Sequence, residues 1–432
     1  MKKIFKKARW FLIPTALAAV IWLWVVKFES GKPEIRPADD TPFLGRELSF
    51  RASDRKSGLA GLRVEAVQAG RAVEIFSEKF PEPLPSVVKT ISLRPLPAGL
   101  TDGEVLLRIS AEDRSWNGGN TAVYEKQLII DTRPPRMTIL GGPHHLNRGG
   151  AGVVACSVEE GTAVAGIQVG DRFFSGFPDG PNTFLVFFAL PVDAPRDVPF
   201  FGVAEDPAGN RTNVVFRPLV KAVPINKDTL PITDRFLGEV MPYFRNLDPA
   251  LKGTDLEVFL TVNRAQRELD YEKLENLCRK TESRMLWSGP FLRLPNAKPM
   301  ASFGERRTYL YDGKVIDEQI HLGVDLASTA QCAVPAANAG RVVFTGPLGI
   351  HGETVVLDHG LGLFSMYSHL SRIDVAVPND VARGAVLGLS GSTGMAGGDH
   401  LHFAVLVHGV FVNPVEWWDP HWIRDNVELK RK

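Results

Sequence analysis

Two short segments of this chain occur twice, and the duplication limits its fold more than any other feature. LAGLRV at 59–64 returns as VAGIQV at 164–169, and SAEDRSWNGGN at 110–120 returns as VAEDPAGN at 203–210. The offsets are 105 and about 93 residues, so each copy is a unit of about a hundred residues. Both copies consist of short alternating apolar stretches separated by Gly, Pro, Asn and Asp, the pattern of half-buried strands joined by tight turns. RPP at 133–135 marks the seam, because a residue preceding proline is pushed to extended conformations.

Units of this size and pattern predict two immunoglobulin-like β-sandwiches, over 43–134 and 135–223. The Glu-Asp pair in each AED segment invites a calcium site. Calcium takes six or more oxygens, and no denser run of carboxylates is present. A turn whose Asp bonds its own backbone, followed by Asn or Gly, is the preferred reading. His144 and His145 fall between the copies and read as a solvated loop.

The 432 residues exceed one compact core, so further domains are expected. The formal net charge of +1 gives no electrostatic footprint for nucleic acid. The three cysteines, Cys156, Cys278 and Cys332, are scattered without a CxxC pair and read as small buried side chains.

MKKIFKKAR carries five positive charges and precedes an uncharged run of 17 residues, Trp10 to Val26. That length is at the short edge of a membrane-spanning helix, and the basic flank keeps the N-terminus cytoplasmic. Ala16-Leu17-Ala18 has the small-x-small form of a signal-peptidase site, but the apolar run continues well past it, which favours an uncleaved anchor over 1–27. Residues 28–42 are polar and proline-bearing, as a linker would be. Everything beyond the anchor is then expected outside the cytoplasm, in the periplasm if the cell has two membranes.

From about residue 224 the texture becomes helical. Thr254-x-x-Glu257 is a capping box, and Leu256, Phe259 and Leu260 follow at helical spacing. The charged run RELDYEKLENLCRK continues the pattern, and the segment 224–290 reads as a helical connector. A spacer, a lid and a protein-docking surface all fit it. After residue 290 short Gly- and Val-rich strands return: GRVVFTG, ETVVLDHG, LFSMYSHL, AVLGLSG, LHFAVLV and GVFVNP. The fold class expected is therefore mainly β, with two sandwiches, a helical connector and a β-rich domain over 291–420 followed by a short tail, 421–432.

The chemistry concentrates in that last domain. Every histidine except His144 and His145 lies at or after residue 321. Side chains two apart in a strand share a face, so His400 and His402 point the same way while Leu401 and Phe403 pack inward. His321 and Asp325, in HLGVD, also share a side, but a straight strand would hold them about 13 Å apart at about 3.3 Å per residue. They can share a metal only where the chain curls, and Gly323 between them permits unusual torsions. His369 follows Tyr367 in MYSHL.

HxxxD, then YxHL, then HLHF followed by VNP resembles the LytM and lysostaphin-type zinc endopeptidases that cut peptidoglycan cross-links. PMASFGERR, CAVPAANAGRVVFTG, VVLDHGLG and GLSGSTG extend the likeness over about residues 296–418. The resemblance implies one zinc ion held by His321, Asp325 and His402, with His369 and His400 as catalytic histidines that do not bind the metal. Such a set leaves one tetrahedral position open for water or substrate. The implied partners are peptidoglycan stem peptides, with a protein partner for the sandwiches or the connector open. Asp399 stands where many members of that family have proline, and it is expected to orient an imidazole or change the charge of the pocket. His351, His359 and His408 read as turn residues or as supports of the ligands, and His421 as a surface residue. The competing class is a regulatory module that activates other wall hydrolases, as relatives that have lost their zinc ligands do. The ligand set separates the two, and here it is complete.

Overall fold

The computed structural model describes residues 20–21, 27–28 and 30–431, so most of the expected membrane anchor, Trp10 to Val26, lies outside the described residues. Among the described residues no helix is long and apolar enough to cross a membrane. The chain is mainly β and divides into two compact units, Met1–Pro134 with Asp206–Arg211, and Pro135–Glu205 with Thr212–Lys432.

In the first unit a four-stranded antiparallel sheet runs in the order Arg71–Leu84, Leu59–Gln68, Gly103–Asp113, Thr121–Ile130. A three-stranded sheet, Glu34–Pro37, Glu47–Ser53 and Ser86–Ser92, shares its core, with Phe50 and Ala52 meeting Leu62, Val64 and Ile109. The sequence repeat is a repeat of strand pairing. Leu59–Gln68 lies beside Gly103–Asp113, and its counterpart Val164–Val169 lies beside Phe200–Glu205 in a sheet of the same order. Both AED loops close in the same way. Asp113 accepts from the Asn120 backbone and side chain at 2.7 and 2.9 Å, and Asp206 accepts from both groups of Asn210 at 2.9 Å. The carboxylates are thus spent on their own turns.

The second unit has one continuous apolar core running from the repeated β module into the C-terminal domain. Trp417 is fully buried, stacked on Phe187 of the module with ring centroids 6.3 Å apart. All three cysteines are free, Cys156 and Cys278 buried and Cys332 partly so. His144 is half-buried edge-on to Phe216 at 5.2 Å, which differs from the solvated loop expected, while His145 is exposed.

The connector forms three α-helices: α1 (Asp234–Leu247), α2 (Asp255–Thr261) and α3 (Arg267–Leu277), the last two joined by a π-helical turn, Val262–Gln266. The capping box at Thr254 and Glu257 is complete. Behind the helices lies an eight-stranded sheet. Its central strands are Val324–Ala327, Leu401–Val407 and Leu363–Leu370, all antiparallel. Leu401 and Phe403 face the core, as the alternation requires.

Glu416 ties the β module to the C-terminal domain. Its carboxylate accepts from Asn147 Nδ2 at 2.7 Å and from the Ala151 N–H at 2.9 Å. Burial pushes this carboxyl up to about 7, against those two hydrogen bonds. Native Glu416 therefore keeps its proton between about 4.5 and 7, where the unfolded chain has lost it. Its contribution is full below pH 4.5 and falls away as pH rises to 7, by roughly 3 kcal/mol in all. Denaturant unfolding of wild type and Glu416→Gln across this range should show that the extra loss belongs to wild type. Parallel pH profiles for the two would refute the assignment.

Candidate metal centre

The centre is built on a cross-strand pair. Asp325 lies directly opposite His402 in the pairing of Val324–Ala327 with Leu401–Val407, and His402 lies opposite Ser368 in the next strand. Directly opposed residues place their Cβ atoms only about 5 Å apart. His321 reaches the same point from just before the strand, where the chain bends between residues 321 and 323. His321 Nε2 lies 3.0 Å from Asp325 Oδ1 and 3.1 Å from His402 Nδ1, and His402 Nδ1 lies 2.9 Å from Asp325 Oδ1. All three residues are buried and together could hold a metal ion.

Gly323 serves this bend differently from the sequence expectation. It does not take a left-handed φ, so unusual torsions are not its purpose. A Cβ there would lie 2.4 Å from His402 Cε1 and Nε2 and 2.9 Å from the Phe403 carbonyl. Glycine is present because the imidazole of His402 packs against its backbone.

The donor set fits a cation. His321 Nδ1 is 3.0 Å from the Ser302 carbonyl, which can only accept, so Nδ1 carries the hydrogen and Nε2 offers a lone pair. That lone pair faces an anionic carboxylate oxygen and another imidazole nitrogen. Burial alone would raise the Asp325 carboxyl, but the His321 and His402 imidazoles outweigh it and hold the group well below the usual carboxylate range. Burial, with the neighbouring His321 and His400, drives His402 down to about 4, so its ring is neutral. Its Nε2 is buried without a hydrogen-bond partner. Two imidazoles and one carboxylate converging on a point are the ligand chemistry of a borderline divalent ion.

Arg307 completes the support. Its guanidinium donates to Asp325 Oδ2 at 3.0 Å and lies 3.3 Å from Glu305 Oε1, which leaves Oδ1 turned to the imidazoles. Arg307 closes the PMASFGERR stretch that carries the family likeness, but nothing in the sequence assigned it this role, since a charged residue in an alternating strand reads as solvent-facing.

His369 and His400 stand beside the group, ring centroids 4.8 Å apart. His369 has a left-handed φ of 63°, a conformation that costs a non-glycine residue energy and recurs at functional positions. Its Nδ1 is 2.8 Å from the Thr393 carbonyl, and His400 Nδ1 is 2.8 Å from the Gly398 carbonyl. A carbonyl can only accept, so Nδ1 is the donor in both rings. Burial, reinforced by His400, pushes His369 down to about 3, so it is neutral.

Asp399 does not touch an imidazole. It accepts from Ser390 Oγ at 2.6 Å and from the Gln331 N–H at 2.9 Å, which pins two loops at the rim. His359 is fully buried between the Ala339 carbonyl and Ser365 Oγ, both at 2.7 Å, a structural role. His408 is half-buried and stacks on Phe177, and His421 is exposed, as a surface residue would be.

A cavity of about 320 Å³ opens over the centre. His321, Asp325, His369, His400 and His402 line it, and so do His351 and residues of the connector: Phe236 of α1, Phe259 of α2, Arg267 and Tyr271 of α3. The connector is thus a wall of the site. His351 is fully buried, its ring 5.4 Å from that of His402.

Residues 319–414 match the family model of peptidase family M23. The DD-carboxypeptidase/endopeptidase Mpg of Neisseria meningitidis serogroup B is 38% identical over 97 residues, 22% of each chain. The peptidoglycan DD-endopeptidase ShyA of Vibrio cholerae is 38% identical over 96 residues, again 22% of each. The murein hydrolase activator NlpD of Salmonella dublin is 32% identical over 112 residues, 24% of this chain and 29% of its own. The chain thus spans between a fifth and a third of the length of these relatives. The segment 319–414, with the His-Asp-His group at its heart, thus matches the model of peptidase family M23.

Proposed function

We propose that the protein is a zinc-dependent endopeptidase that hydrolyses peptide cross-links of peptidoglycan, and that it works tethered to the membrane on the outer side. The observation that carries the reading is the convergence of His321 Nε2, Asp325 Oδ1 and His402 Nδ1 within 3.1 Å of one another, beside two further imidazoles, His369 and His400, in one cavity. The likeness to two relatives named endopeptidases supports the reaction class.

His321, Asp325 and His402 would hold one zinc ion. Bound zinc supplies Lewis acidity, polarising the scissile carbonyl and lowering the pKa of water toward neutrality. The chain's own groups do the rest. Arg307 fixes Asp325, and Ser302 fixes the tautomer of His321. His369 and His400 line the cavity, where a neutral imidazole takes a proton from the attacking water and returns it to the leaving amine. The other imidazole, once protonated or hydrogen-bonded, steadies negative charge on the carbonyl oxygen. The apolar wall of Phe236, Phe259 and Met395 keeps bulk water from the reacting groups.

The likeness to an activator suggests a non-catalytic alternative. The two readings diverge at the metal. His402→Ala should lose zinc and wall-hydrolysing activity together. His400→Ala should keep zinc at one per chain and lose about 10²–10⁴-fold in rate, the usual worth of a general acid or base. Zinc content by atomic absorption and peptide release from purified wall decide this. A wild-type protein that binds no zinc and releases no peptide would favour the activator.

Gly323→Ala separates packing from ligation. The added methyl displaces the His402 ring, so zinc should be lost while the β fold, read by circular dichroism, persists. Retention of full zinc content would show that His402 is not the ligand described.

The tether rests on the basic tip and the uncharged run Trp10 to Val26. Full-length protein should sediment with membranes, and deletion of residues 1–27 should release it. Equal sedimentation of both forms would sink the anchor.

A further inference from the structure

The helical pattern of α2 places Val258, Phe259 and Val262 inside. Continued at 3.6 residues per turn, that face would bury Gln266 and then Leu269. It does not: Leu269 is 55% exposed, whereas Arg267 is only 8% exposed and lines the cavity. The π turn Val262–Gln266 is the cause, since its wider turn adds a residue and shifts the buried face by one position. An apolar side chain is turned out and a guanidinium is turned in, a costly exchange that packing alone would not select.

The guanidinium is held rigidly. Its Nε donates to the Asn263 carbonyl at 3.0 Å, Nη2 donates to Asn263 Oδ1, and Nη1 reaches Tyr271 Oη at 3.4 Å. Asn263 is itself fixed, donating from Nδ2 to Asp317 Oδ2 at 2.7 Å. All the acceptors are neutral. Asp270, one turn on, is engaged with the Ile350 N–H and Gln266, and Asp317 with Asn263 and Arg264. Among the described residues no carboxylate forms an ion pair with Arg267, in contrast to Arg307, which meets both Asp325 and Glu305. Three of the five guanidinium donors are used, and two remain for something else.

We infer that Arg267 is a specificity-determining residue that binds a carboxylate of the substrate, so that the preferred cross-link carries a free carboxyl group beside the scissile amide. The inference rests on the peptidase reading above and deepens it. A planar guanidinium matches a carboxylate through two parallel hydrogen bonds, and in a cavity shielded from water such a pair is strong and directional. A bridge of uncharged glycines offers no such group and leaves the buried cation unpaired. The residue comes from the connector, outside the segment 319–414 that matches the peptidase family, so this part of the chain supplies substrate choice to the domain beside it.

The test uses the full zinc-loaded chain and two synthetic cross-linked stem-peptide dimers. They are identical except that the carboxyl group next to the scissile amide is free in one and a primary amide in the other. Wild type should cleave the free-carboxyl dimer with kcat/KM about 10²-fold higher, mostly through KM. Arg267→Gln should lose that preference and treat the two alike, with unchanged zinc content, and Arg267→Lys should recover part of it. Equal cleavage of both dimers by wild type overturns the inference and leaves the peptidase reading standing. So does an undiminished preference in a folded Arg267→Gln protein. Cleavage of neither dimer by zinc-loaded wild type removes the peptidase reading and the inference with it.

Discussion

The pairing of Asp325 with His402 across two central strands is the contact on which the rest of the site depends. It fixes an anionic oxygen and a neutral nitrogen 2.9 Å apart on rigid backbone, and every other group is arranged around that point. His321 enters over Gly323, Arg307 holds the second carboxylate oxygen, and His369 flanks His402 from the strand on its other side. A sheet suits the task because its register is pinned by the hydrophobic alternation on the opposite face. A slip of one residue would send Leu401 and Phe403 into the cavity and both imidazoles into the core.

Much of this could be read from the sequence, and the reasons it stopped are physical. The i, i+2 rule puts His400 and His402 on one face, and histidine clustering marks the domain. Neither rule says what lies opposite His402, because strand order follows from tertiary packing and no local pattern encodes it. Gly323 is instructive. Its position between His321 and Asp325 flagged a bend, but glycine is chosen for freedom of torsion or for lack of a side chain, and the two uses look identical in a sequence. Asp399 offered a charge near two imidazoles, yet its oxygens are taken up by Ser390 and Gln331.

The connector illustrates the larger gap. Its helices were legible from Thr254, Glu257 and the apolar spacing, but their relation to the cavity was not. The inward turn of Arg267 depends on one extra residue in the π turn, and periodicity arguments assume a constant 3.6 residues per turn. Where a helix changes its pitch, the pattern misassigns the residues that follow, and for that reason Arg267 is buried in place of Gln266 and Asp270 in place of Leu269.

The second copy of the repeat gives up the independence its sequence suggests. Phe187 stacks on Trp417, and Asn147 and Ala151 clasp Glu416, so its core is continuous with that of the C-terminal domain. A fragment cut at residue 291 would bring Trp417 and its neighbours into water as a bare greasy face and leave Glu416 without its two donors. A piece that keeps this seam whole together with the cluster of histidines therefore begins near residue 135.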